Sequence, residues 1–164
     1  MNCGGFSVQW KQNNGKCGIC GENYSLEPKK FEKNGSMYKG YIVKTYQQGE
    51  IITVNVEITA NHLGYFQFMI CNLDQMLSDA TADCLNKTYL KEVTSNQTKI
   101  YIQSQTGYIY TKLKLPDQLT CNHCVFQWKY NTGNSWGTDR ISGQSGLGLG
   151  IQEQFFGNNN NNFI

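Results

Sequence analysis

The run from Ile51 to Ala60 alternates apolar and polar residues at a period of two, which a helix cannot use and a strand can. Ile52, Val54, Val56, Ile58 and Ala60 share one face, while Thr53, Asn55, Glu57 and Thr59 share the other. The same period carries His62 onto the apolar face, so an imidazole emerges at the rim of a predicted core. Imidazole is the commonest nitrogen ligand for copper and zinc, and a strand end is a rigid mount for it. Taken alone, such a histidine is better explained as a hydrogen-bonding group at a sheet edge, so a metal reading needs further residues.

Other segments repeat the strand pattern. Residues 38–43 read as a strand, joined to the Ile51 run through Gln47-Gln48-Gly49. Leu63-Gly64 makes a turn into Tyr65–Cys71, where Phe66, Phe68 and Ile70 share a face. A polar loop with Asp74, Asp79, Asp83 and Cys84 follows, with room for one helical turn between Leu73 and Leu85. Further strands are predicted over Lys99–Gln103 and Tyr108–Leu115, the second with Ile109, Leu113 and Leu115 inward and stopped by Pro116. Cys124, Phe126, Trp128 and Tyr130 form another alternating set. The first 35 residues, rich in Gly, Asn and Lys, promise little regular structure. At least six strands with frequent turn signals, in a chain of 164 residues with 17 Gly and 10 Tyr, predict one all-β domain built as an antiparallel β-sandwich with long loops. The Asn158–Asn162 homopolymer is expected to add nothing to a packed core.

A net charge of +2 with 16% charged residues lacks the basic footprint of a nucleic-acid binder. No segment approaches the roughly 20 apolar residues of a membrane span. Abundant Asn and Gln suit a secreted protein that meets a neutral polymer. The seven cysteines, Cys3, Cys17, Cys20, Cys71, Cys84, Cys121 and Cys124, point to an oxidising compartment. Glycosylation sequons at Asn23, Asn34, Asn86 and Asn96 point the same way. Closing local loops pairs Cys71 with Cys84 and Cys121 with Cys124, and the odd count leaves one thiol over. The rival is zinc held by the two-residue-spaced pairs Cys17/Cys20 and Cys121/Cys124, but about 100 residues separate them, far beyond ribbon spacing. The start Met1-Asn2-Cys3-Gly4-Gly5 has no charged region and no apolar run, so an export signal is expected to lie upstream of it.

Six segments occur in the order of a known family. They are Asn2-Cys3-Gly4-Gly5, Gly15-Lys16-Cys17-Gly18-Ile19-Cys20-Gly21, Ile58-Thr59-Ala60-Asn61-His62-Leu63-Gly64-Tyr65-Phe66, Asp83-Cys84-Leu85-Asn86, the run from Leu119 through Cys121, Cys124 and Trp128 to Gly137, and Gln152-Glu153-Gln154-Phe155-Phe156-Gly157. The chain resembles the animal-type lytic polysaccharide monooxygenases of auxiliary activity family fifteen, whose domain is also called the chitin-binding type-4 domain. The resemblance covers most of the chain. It implies an immunoglobulin- or fibronectin-III-like sandwich and one copper ion held by an N-terminal histidine and a second histidine matching His62. It implies oxidative cleavage of insoluble chitin or cellulose by a secreted monomer supplied by an external electron donor, with no nucleic-acid or membrane partner.

By position, the resemblance makes His62 the expected second copper ligand and Ala60 the expected small neighbour beside the metal. Phe155 matches the axial aromatic, with Phe156 the alternative if the alignment shifts by one. Glu153, two residues before Phe155, is the expected hydrogen-bonding group on the same strand face. The family's first histidine precedes the Asn2-Cys3-Gly4-Gly5 motif and has no counterpart here, so the chain as written is expected to bind copper poorly. The family also has cysteines near Gly146–Gly150 and after Gly157 that this chain lacks, which accounts for the odd thiol. The expected organisation is one domain over residues 1–157 followed by an Asn-rich tail over 158–164. A non-catalytic polysaccharide-binding module and a zinc-stapled interaction domain are the competing readings.

Overall fold

Two sheets, antiparallel except where the first strand pairs with the last, face each other across a core drawn from both in the computed structural model, which describes residues 1–74, 76, 78–158 and 162–163. The elements are β1 (Ile42–Lys44), β2 (Ile51–Ile58), β3 (Tyr65–Asn72), α1 (Ala82–Leu85), β4 (Lys91–Glu92), β5 (Ile100–Tyr101), β6 (Gly107–Lys114), β7 (Cys124–Asn131), β8 (Trp136–Thr138), β9 (Ser145–Leu147), β10 (Gln154–Asn158) and β11 (Asn162–Phe163). The larger sheet runs β1-β11-β7-β3-β5, with β10 also on β7, and the second runs β2-β6-β4. β8 and β9 form a separate hairpin.

The predicted alternation of β2 is what seals it: Ile52 and Ile58 are buried, Val54 and Val56 half-buried, and Thr53, Asn55 and Glu57 exposed. Opposite them stand Phe66, Phe68 and Ile70 of β3, and Phe126 and Tyr130 of β7. β3 and β7 differ from the expectation of one apolar face, because both of their faces are covered. Met69, Cys71 and Val125 pack outward under α1 with Leu73, Ala80 and Leu85, a second small core. Central strands enclosed on both sides read as apolar runs and not as alternation.

Three strand expectations shrink. The 38–43 prediction overlaps the observed strand Ile42–Lys44 only at Ile42 and Val43, and that strand pairs with β11. β5 is two residues long. β2 stops at Ile58, so Ala60 and His62 do not continue its face but sit in the turn before β3, and the period-two placement of His62 is corrected accordingly. The amino-terminal segment, expected to be irregular, contains a π-helical turn over Val8–Gln12. Of the Asn tract, Asn158 ends β10 and Asn162 begins β11, while residues 159–161 lie outside the described residues.

Disulfides join Cys71 to Cys84 and Cys121 to Cys124, as loop closure predicted, and also Cys3 to Cys17. Cys17, Cys121 and Cys124 are therefore not available as thiolates for zinc, and that reading falls. Cys20 is buried outside these bridges, its Sγ 3.5 Å from the Phe31 carbonyl. Among the described residues no helix is long and apolar enough to cross a membrane.

Candidate metal centre at His62

The turn that carries His62 is fixed from three sides. Leu63 and Gly64 both take positive φ, 55° and 86°, to reverse the chain from β2 into β3. A Cβ on Gly64 would lie 2.1 Å from the Asn131 carbonyl oxygen, so this close approach of two backbones admits glycine alone. Asn61 supports the reversal by accepting the Leu63 N–H through Oδ1 at 2.6 Å, the local bond that suits Asn to turns. Its amide nitrogen reaches across to the Gln103 carbonyl at 2.8 Å and also to that of Gln105.

From the core side, the Tyr130 hydroxyl accepts the His62 N–H at 3.0 Å and donates to the Leu63 carbonyl at 2.7 Å. One phenol thus satisfies a donor and an acceptor of a backbone that has left the sheet, groups that would otherwise be costly to bury. Burial raises the Tyr130 phenol above its ordinary pKa, opposed by the His62 N–H, so the hydroxyl keeps its proton and both roles. Gly133 N–H closes the third side on the His62 carbonyl at 2.8 Å.

The imidazole itself is half-buried. Its Nδ1 lies 3.1 Å from the Asn134 side-chain amide. The amide nitrogen Nδ2 faces the ring and donates to Nδ1, which occupies that nitrogen and fixes the orientation of the imidazole. Phe155 faces the ring nearly parallel, centroids 6.5 Å apart at 6°. Behind it Tyr130 stacks on Phe155 at 5.9 Å, and Phe66 meets Tyr130 edge-on at 5.2 Å, so an aromatic column runs from the core to the imidazole. Phe156, next along β10, is buried on the other side, with Lys129 Nζ 5.3 Å from its ring centroid. Of the two phenylalanines the sequence offered, Phe155 is the one beside His62.

Ala60 is exposed at the start of the turn. Glu153 is half-buried and accepts from Asn2 at 3.3 Å, and no hydrogen bond joins it to His62 among the described residues. Tyr130, Gly133 and Asn134 fell inside a quoted motif but without a role. They lie 68 to 72 positions from His62, and only the β3–β7 register, Tyr65 opposite Asn131, brings them to it.

Fold and site together define a β-sandwich that presents one half-buried imidazole and an apposed aromatic ring at the edge of its two sheets. The chain belongs to the family described as lytic polysaccharide mono-oxygenase, cellulose-degrading, whose family model matches residues 1–158. Among solved structures it is similar to the AA15 lytic polysaccharide monooxygenase from Thermobia domestica in the Cu(I) state. The match has a TM-score of 0.90 and 38% identity, and covers 99% of this chain and 84% of that one. No curated protein sequence gives a significant match.

Copper is the metal to which family and neighbour point. The His62 imidazole is a nitrogen ligand of the type copper prefers. Among the described residues, however, no group of three His, Cys, Asp or Glu side chains converges on a point. The Met1 amine is itself occupied, donating to the Phe156 carbonyl at 2.5 Å, and desolvation lowers its pKa. The described residues fit one arm of a copper centre and do not complete its donor set.

Proposed function

We propose that this chain is the body of a secreted, copper-dependent monooxygenase that breaks glycosidic bonds in cellulose or chitin using an external electron donor, and that it works as a monomer. Family membership over residues 1–158 is the observation that carries the reading, and the site is consistent with it. Copper, when bound, supplies one-electron chemistry toward oxygen or peroxide. The protein's own contribution is geometric. His62 offers a nitrogen on a turn that Tyr130, Gly64 and Gly133 hold rigid, and Asn134 sets which nitrogen faces outward. Phe155 places an apolar ring where a tyrosine would bring a phenol oxygen, and Ala60, exposed two residues before His62, keeps a small side chain at the start of the turn. Glu153 supports this end of β10 through Asn2.

Residues 1–157 form the working domain in this reading, with 158–164 as its tail. Three disulfides in one small domain support a secreted location. The test expresses the protein from its full gene, loads it with Cu(II), and supplies ascorbate with cellulose or chitin. Oxidised oligosaccharides detected by mass spectrometry and abolished in His62→Ala support the proposal. A wild type that takes up no copper and yields no oxidised products overturns it.

A further inference from the structure

A row of tyrosines leaves the His62 end of the molecule along the flank where the two sheets meet. Tyr65, three residues after His62, packs its ring against Tyr101 of β5, centroids 5.5 Å apart. Tyr101 and Tyr110 line one groove of about 740 Å³, with Glu92, Gln97, Thr98 and Lys99 around it. Tyr110 in turn meets Tyr108 on the same strand at 6.4 Å. Tyr101, Tyr108 and Tyr110 are 71%, 59% and 66% exposed, unusual for three large rings on one flank.

The groove has a definite construction. Tyr101 belongs to the edge strand of the larger sheet and Tyr110 to the second sheet, and residues 93–99 run from β4 to β5 over the gap. Glu92 folds that connection on itself: the Ser95 N–H donates to its carboxylate, and the backbone and side chains of Thr94 and Ser95 hold its pKa down at about 2. Asn61, in the His62 turn, bonds the carbonyls of Gln103 and Gln105 just beyond Tyr101, so this flank is tied to the metal centre.

The lining selects a ligand class. One carboxylate and one ammonium leave the groove without net charge, which disfavours a polyanion. Aromatic faces carry negative quadrupole density that attracts the C–H faces of a sugar ring, and amide and hydroxyl groups pair with its hydroxyls. The volume falls within the roughly 300–1,000 Å³ of small-ligand sites.

We propose that the groove between Tyr101 and Tyr110, extended by Tyr65 and Tyr108, binds a neutral β-linked polysaccharide strand as a subsite separate from the His62 surface, holding the polymer while the metal centre meets a neighbouring stretch. The inference rests on the polysaccharide reading above, but its test needs neither copper nor turnover.

Protein made in bacteria, so that the Asn96-Gln97-Thr98 sequon at the groove carries no glycan, is mixed with cellulose or chitin without metal or reductant, and bound protein is measured against concentration. The double variant Tyr101→Ala/Tyr110→Ala should weaken adsorption about tenfold, and Tyr101→Phe/Tyr110→Phe should retain it, since the ring faces make the contact. Melting temperatures within a few degrees of wild type exclude unfolding. Adsorption of the alanine variant equal to that of wild type overturns the subsite, and so does loss of self-association in sedimentation without loss of adsorption. Wild type that adsorbs but yields no oxidised product in the copper assay leaves the subsite standing and removes the enzyme reading alone.

Discussion

His62 and Phe155 lie 6.5 Å apart with ring planes within 6° of parallel, although 93 positions separate them in the chain. β7 places them so: it pairs with β3 on one edge and β10 on the other, setting Tyr130 opposite both Phe66 and Phe155. The imidazole is thus held by a sheet register and not by its neighbours in sequence.

Asn134 is expected to act through His62. Asn134→Ala removes the partner of Nδ1 and frees the ring to rotate and change tautomer, and loss of such a supporting bond typically costs about 10- to 100-fold in metal affinity. Copper titration by calorimetry of the full gene product should show that loss, with a larger one in His62→Ala. Equal affinities in wild type and Asn134→Ala would remove Asn134 from the centre.

Two glycines with nearly the same φ make a matched test of close approach. Gly64 has φ +86° with a backbone oxygen 2.1 Å from a built Cβ, whereas Gly107 has φ +85° with nothing within 4 Å. Gly107→Ala should cost only the backbone strain, about 1–3 kcal/mol. Gly64→Ala adds overpacking, for a total of about 2–6 kcal/mol. Urea unfolding of both variants measures the difference, which vanishes if the β2–β3 turn does not abut Asn131.

Acid sensitivity should localise to the 92–97 turn. The Glu92 carboxyl is lowered from 4.5 to about 2 by N–H donors of Ser95 and Thr94, so the folded chain binds this proton less readily than the unfolded chain. Its stabilisation is complete above about pH 4.5 and lost as pH falls toward about 2. Glu92→Gln should therefore melt below wild type at pH 6, with the gap closing by pH 2 to 3. A gap independent of pH contradicts the assignment.

The Cys71–Cys84 bridge ties β3 to α1 across a separation of 13 residues. Closing a loop of this size contributes about 3 kcal/mol. Cys71→Ser/Cys84→Ser should lower the melting temperature by about 6–12 °C. The Cys121–Cys124 bridge closes a separation of only 3 residues, so removing it should cost less by scanning calorimetry.

Local patterns settled what depends on neighbours in sequence. The alternation of β2 and β6, the turn at Leu63-Gly64 and the two short-loop disulfides could be read directly, because side-chain period and loop closure are short-range effects. The ordered motifs from Asn2 to Gly157 were enough to read the family, which the match over residues 1–158 shows. The Cys3–Cys17 bridge was not evident, since three cysteines within 18 residues leave the choice of partners to the fold. Period two carried the strand past its end at Ile58, because nothing in the alternation reveals that Tyr130 takes the His62 N–H out of any ladder. The choice of Phe155 over Phe156, the support from Asn134 and the tyrosine flank were decided only when β3, β7 and β10 came into register. Pairing between strands is set by which faces a shared core buries, and that is a property of the whole chain.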